Sequence, residues 1–379
     1  MSEYQYYEFL AIDKRLTSKE QAAVREYSSR AEISATSFSN EYNYGDFKGK
    51  PDTFIQKWFD AHVYVANWGT RRFMLGVPKD LIDLPLAKAC CDGEVVTLEL
   101  RGEKAIFTLA LEPDDGGNWE SEDGSGWMEK LAPARDELLR GDLRIFYLGW
   151  LLRMQNEELD DDDVEPFVPA GLSKLSKSLK GLVQFLEIDP DMIAFAAEKS
   201  EAPSQASTAE EFAEWVVALP VVEKDALLLS ICNGEEEMGG VRLRRRFEAS
   251  RPKSRSAVGH RTVRELREGA ARQTEERDRK EAEIATAIRA REKAESEALR
   301  AARLSELAGR EPEVWRKVEE LIGVKNARAY DEAIALLCDL RDLAAKSGRS
   351  PEYGTRVNRL LAIHASKRNF VQRLKRIYP

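Results

Sequence analysis

Residues 4–11 alternate aromatic and polar side chains of β-favouring types, the period-two pattern of a half-buried strand. Thr17-Ser18-Lys19-Glu20-Gln21 then offers an N-cap with a carboxylate three positions on, ahead of Ala22, Ala23 and Val24, and predicts a helix. Residues 33–47, rich in Thr, Ser, Phe and Tyr, predict a second strand, and Pro51 opens a short helix reaching Phe59. Two paired β-type runs follow. Residues 61–66 and 71–77 flank the turn signal Asn67-Trp68-Gly69-Thr70, and residues 95–100 and 105–111 flank Arg101-Gly102-Glu103-Lys104. The expectation for residues 1–126 is an α+β domain: a small, mostly antiparallel sheet with two to four helices on one face.

From residue 127 the apolar period lengthens to three and four. Leu138, Leu139, Leu143, Phe146, Tyr147, Trp150 and Leu151 form a helical stripe interrupted at Gly141. Leu172, Leu175, Leu179, Leu182, Val183 and Leu186 form another, with Lys174, Lys177 and Lys180 on its wet side. Residues 127–200 are therefore expected as a helical extension packed on the N-terminal core. Residues 157–165, with four consecutive Asp, read as a solvated loop.

Residues 201–208 have linker composition. Over 209–239, Phe212, Trp215, Val216 and Leu219 stand at i, i+3, i+4 and i+7, and Pro220 ends that helix, which predicts a helical hairpin. Residues 240–261 are a basic arm. Residues 262–308 are almost all Glu, Arg, Lys and Ala, with supporting pairs such as Glu275 four before Arg279, and predict a long charged helix, roughly 70 Å if it is continuous, which the pattern leaves open. Ile284, Ala287, Ile288, Ala294, Ala298 and Ala301 give it only a thin apolar seam, so a bare polar helix or a weak coiled coil is expected. Residues 309–379 carry three stripes, on Trp315, Val318, Leu321 and Ile322, on Tyr330, Ile334, Leu337 and Leu340, and on Val357, Leu360, Leu361 and His364. An all-α C-terminal domain of short amphipathic helices follows, packed as helical-repeat units pack.

Composition narrows the functional classes. With 43% apolar residues among 379, the chain is too apolar to be wholly disordered, and a net charge of -9 excludes a uniformly basic binder. Three His and four Cys exclude a rich metal scaffold or a disulfide framework. Cys90 and Cys91 are adjacent while Cys232 and Cys338 are isolated, a pattern that suits reduced, buried thiols in a cytoplasm. The apolar run at 145–152 falls far short of the roughly 20 residues a spanning helix needs, and the first residues lack a secretory pattern, so no membrane association is expected. The charge is split along the chain: residues 1–241 hold 24 basic and 46 acidic side chains, residues 242–379 hold 34 and 21. Such asymmetry accompanies either a basic segment that meets an external anion or acid-base pairing within the chain.

No motif fixes a reaction. Residues 45–51 are one residue short of a phosphate loop and end in Pro, and the acidic stretch from Asp114 carries Trp119 where a calcium loop needs Gly. His62, His260 and His364 lack a nucleophile and acid in any local frame, and Cys90-Cys91 lacks the redox spacing. No catalytic residue, cofactor or metal is therefore expected. The segment with a physical lever is Arg242, Arg244, Arg245, Arg246, Arg251, Lys253, Arg255, Arg261, Arg264 and Arg267, which could neutralise backbone phosphates, with Lys367, Arg368, Arg373, Lys375 and Arg376 extending the patch. Phe247 is the one aromatic interleaved, so base stacking is poorly supplied, and the same arginines could lie on the chain's own acidic half.

The stretches 315–322, 330–333 and 336–344, together with Leu219-Pro220-Val221-Val222-Glu223-Lys224-Asp225-Ala226 and Leu227-Leu228-Leu229, resemble the helical C-terminal region of some bacterial SWIM-type zinc-finger proteins. The resemblance spans about residues 208–379; the family's zinc element has no counterpart here. Residues 6–13 and 64–71 resemble an uncharacterised bacterial family, which implies no activity. These readings lead to a nonenzymatic cytoplasmic interaction or adaptor protein that docks on a protein partner. The alternatives are a nucleic-acid-associated protein binding phosphate through residues 242–267, or an enzyme whose His62, Arg71 and an acidic residue converge in an N-terminal pocket.

Overall fold

The computed structural model describes residues 3–113, 124–202, 209–232, 239–250, 257–258 and 260–378. The chain divides into two compact units, Met1–Arg277 and Asp278–Pro379. The first begins with β1 (Gln5–Leu10), α1 (Ser18–Arg25), β2 (Glu32–Ile33), β3 (Ser37–Tyr42), α2 (Pro51–Lys57), β4 (Ala61–Ala66), β5 (Arg71–Pro78), α3 (Leu84–Cys90), β6 (Val96–Arg101) and β7 (Lys104–Leu111). All seven strands join one sheet in the order β2-β3-β1-β4-β5-β7-β6, every pairing antiparallel. The α+β fold expected from the pattern is the one observed. Thr17 and Glu20 form the capping box at α1, the Thr17 hydroxyl accepting from the Glu20 amide and the Glu20 carboxylate from the Thr17 amide. Gly69 and Gly102 sit at the two hairpin turns with φ of 93° and 62°, where a side chain would be strained.

The sheet is buried on both faces, which corrects the expected one-sided packing. Ala61, Val63 and Val65 of β4 share one face with Phe73, Leu75, Phe107 and Leu109, while Tyr64 and Ala66 share the other with Tyr7, Phe9, Phe38, Phe54, Met74 and Ile106. Two-sided burial makes a central strand read as a nearly continuous apolar run, so periodicity alone does not tell how many faces are covered.

Against the first face lie α4 (Trp127–Leu131), α5 (Pro133–Leu139), α6 (Arg144–Gln155), α7 (Lys177–Phe185) and α8 (Pro190–Ala197), with β8 (Phe167–Val168) between α6 and α7. Gly141, at φ 96°, splits the first predicted stripe into α5 and α6. Every residue from Ile145 to Met154 is buried, so α6 is a central helix with no wet side. The unit continues through α9 (Ala209–Ala218), α10 (Val221–Cys232), α11 (Gly239–Ser250) and β9 (Ala257–Val258), which pairs antiparallel with β8. Of the stretch expected as a basic arm, residues 240–250 are helical.

The long charged helix is continuous as α12 (Val263–Gly309). Its start belongs to the first unit and residues 278–309 to the second. Within the second unit, Leu304 and Leu307 of α12 join a core with α13 (Glu311–Val324), α14 (Ala327–Lys346), α15 (Ser350–Ile363) and α16 (Arg368–Ile377). Four helices follow residue 309 where three were expected. The fourth, α16, shows only Phe370 and Leu374 as fully buried apolar positions among basic neighbours, and it reads in sequence as part of a positive patch. No described helix is long and apolar enough to cross a membrane.

Candidate functional site

The basic segment meets acidic groups of the same unit at almost every described position. The short β8–β9 ribbon pairs residues 257–258 with 167–168, and a bridge sets Thr262 opposite Val164, which places Arg261 across from Glu165. Arg261 Nε donates to Glu165 Oε1 at 2.8 Å and Nη2 to Oε2 at 3.0 Å, while Nη1 and Nη2 also reach the Phe195 and Ala196 carbonyls at 3.0 and 3.2 Å. Tyr147 Oη donates to Glu165 Oε2 at 2.7 Å. The Glu165 side chain is 1% exposed and that of Arg261 12%. Burial alone would lower the Arg261 pKa, but the Glu165 bond and charge outweigh it and hold the guanidinium above its ordinary value. Burial, then Glu165, push the Tyr147 phenol well up. Arg261 is a half-buried clamp on a buried carboxylate, with its donors already used.

The four consecutive Asp are exposed, as expected of a solvated loop, and this loop forms part of the same junction. The Val263 amide donates to the Asp163 carbonyl at 2.9 Å and the Arg264 amide to the Asp161 carbonyl at 3.1 Å. Arg267 Nη1 donates to Asp161 Oδ1 at 2.8 Å, and Arg264 lies 3.5 Å from Asp161 and 3.4 Å from Asp162. Thr262 and Glu265 add a capping box at the first turn of α12.

On α11, Arg242 pairs with Asp80 and Arg246 with Glu223. Arg244 stacks its guanidinium 4.7 Å over Phe212 and 5.8 Å from Phe247, and lies 3.8 Å from Glu248. Arg245 is half-buried; burial lowers its pKa, and Asp83 and Asp80 oppose that shift. Arg251, Lys253 and Arg255 lie outside the described residues. The five basic residues at 367–376 include Arg373 paired with Asp331 and Lys367, whose ammonium caps the Ile322 carbonyl at 2.8 Å.

The catalytic alternative is not assembled among the described residues. His62 is fully buried on the aromatic face of the sheet, stacked on Phe9 with ring centroids 4.0 Å apart, and burial pushes its pKa down to about 3. Arg71 belongs to the opposite face, where Nη1 donates to the Phe185 carbonyl at 3.0 Å and lies 3.2 Å from Glu187. Burial pushes the Cys90 thiol up to about 12 and the Cys91 thiol higher still, the opposite of an activated nucleophile. A cleft of about 200 Å³ is lined in part by Lys14, Arg15 and Trp58 and by Asp13, Asp60 and Lys104, the last three already paired with each other or with Arg135. No described cluster of three or more His, Cys, Asp or Glu is placed to hold a metal ion.

What the sequence pattern missed is an inverted helix pair. Phe212, Trp215 and Phe247 gather between α9 and α11, with centroids 5.2 to 6.2 Å apart. In consequence Val217 at the end of α9, and Val221, Val222, Leu228 and Leu229 of α10, are 61 to 82% exposed. The signal was present: positions 221, 222, 225, 228, 229 and 232 share one helical face, and all but Asp225 are apolar. Comparison with family models, curated proteins and solved structures finds no match.

Proposed function

We propose that this chain is a nonenzymatic cytoplasmic interaction protein that docks on a partner protein through the outward apolar face of α10 and the end of α9. The observation that carries the reading is the exposure of Val217, Val221, Val222, Leu228 and Leu229 within thirteen consecutive residues. Scattered apolar side chains are ordinary on a surface, but a contiguous helical face of them is the signature of a partner groove. The adjacent α11 supports the helix pair from behind through the Phe212–Trp215–Phe247 cluster and the Arg246–Glu223 pair. Phosphate binding through residues 242–267 is the weaker reading, because a phosphate would have to displace Glu165, Asp161 or Asp80 from arginines they already engage.

Affinity capture from the native host, run in parallel with wild type and with Val222→Asp/Leu229→Asp, tests the proposal. Both positions point to solvent, so the variant is expected to melt within about 2 °C of wild type, a shift of a few tenths of a kcal/mol. A partner retained by wild type and lost by the variant supports the docking face; equal capture by both, or no specific partner, removes it.

A further inference from the structure

The stretch of α12 from 275 to 303 is exposed along its whole length. Counting about 100° per residue, Leu304 and Leu307, which enter the second unit's core, point to one side of this helix, and Arg300 and Arg303, paired with Asp342 and Asp339, flank that side. The opposite side carries Ile284, Ile288, Arg291, Glu295, Ala298 and Ala302, spaced four, three, four, three and four. That is the a/d register of a left-handed coiled coil. Ile284 and Ile288 are 60 and 52% exposed.

We propose that a second copy of this chain docks antiparallel along residues 284–302, forming a short two-stranded coiled coil. The arrangement of the seam selects both the occupant and its direction. Laid antiparallel about a two-fold axis near residue 293, Ile284 faces Ala302 of the second copy, Ile288 faces Ala298, and Arg291 faces Glu295, each contact occurring twice. Large meets small at both ends, and the two central charges of each helix meet their opposites. In the single chain Arg291 Nε and Glu295 Oε1 lie 2.8 Å apart, so docking would extend one ion pair into a closed ring of four charges. Ala287, Ala294 and Ala301 run beside the seam at intervals of seven and leave room for a second backbone. A parallel, in-register pair would set Arg291 against Arg291, Glu295 against Glu295 and Ala298 against Ala298, opposing like charges and leaving voids.

Sedimentation equilibrium of the full-length protein tests this, using wild type, Arg291→Glu, Glu295→Arg and the double exchange Arg291→Glu/Glu295→Arg. The expected result is a concentration-dependent dimer of wild type whose Kd rises at least about tenfold in each single variant and returns to within about threefold in the double variant. The double exchange also controls for folding, since it carries both substitutions. Wild type that stays monomeric up to about 1 mM, a dimer indifferent to the single exchanges, or a double variant as weak as the singles would each overturn the proposal.

Discussion

His62 shows how a side chain that looks chemical in sequence becomes structural in the fold. Its Nδ1 lies 2.9 Å from the Glu8 carbonyl, which can only accept, so the proton sits on Nδ1 and Nε2 faces the aromatic core without a partner. Protonation would place a charge among Phe9, Tyr7 and their neighbours. Since the folded pKa is about 3 and the unfolded value near 6.5, only the unfolded state takes up this proton between those limits. The contribution of His62 is therefore whole above pH 6.5 and is lost at up to about 1.4 kcal/mol per pH unit as the pH falls towards 3. Urea melts at pH 7, 6 and 5 are expected to show that slope in wild type and a flatter one in His62→Phe; equal slopes would contradict it. Asp60 acts lower on the scale. Burial would raise its pKa, but Lys104, Arg135 and the Asp13 amide hold it below the ordinary carboxylate value, so its contribution is present above about pH 4 and lost below. Arg135, 1% exposed, donates to both oxygens of Asp13 and to the Gly76 carbonyl. Arg135→Met is expected to cost about 3 kcal/mol in denaturant melts, because it takes from Asp13 its bidentate partner and leaves Asp60 with Lys104 and two backbone amides.

Among the elements, the first turn of α12 depends most on groups far away in sequence. The capping box Thr262–Glu265 is local and was readable from a Thr followed by Glu three positions on. The Glu165 clamp was not, because nothing in a run such as 157–165 says which distant arginine it will meet. The same limit explains the other differences. Strand positions, hairpin turns and the α1 cap follow from local chemistry and were legible, as were the helical character of 262–308, though not its continuity, and most C-terminal helices. The number of covered sheet faces, the all-round burial of α6 and the outward turn of the α10 apolar face depend on tertiary neighbours that a period does not name. Among the candidate site residues, the cationic types were legible, whereas their carboxylate partners emerged only once the β8–β9 ribbon and the Val164–Thr262 bridge brought the two segments together. Glu165→Gln keeps the shape and removes the charge. It is expected to cost about 3 kcal/mol and to speed amide exchange at Leu266 selectively, leaving the central strand β4 protected. Uniform loss of protection, or none, would contradict a clamp confined to this junction.

For the whole molecule, the polarity of the sequence is real, and much of it is spent internally. In the first unit, arginines of α11, Arg261, and Arg267 of α12 meet Asp80, Glu223, Glu165 and Asp161. In the second, Arg300, Arg303 and Arg373 meet Asp342, Asp339 and Asp331. Surface pairs of this kind add little stability each, but they neutralise the field that would draw in a polyanion. Beside these pairs, the described surface carries two exposed apolar features, the outer face of α10 and the isoleucines of the α12 seam. The most direct test of this account is fluorescence anisotropy with labelled duplex DNA and single-stranded RNA, titrated from about 50 to 200 mM salt. At physiological ionic strength the expected signal is flat for wild type and for Arg244→Ala/Arg245→Ala/Arg246→Ala alike; tight binding that weakens steeply with salt and vanishes in the triple variant would contradict it.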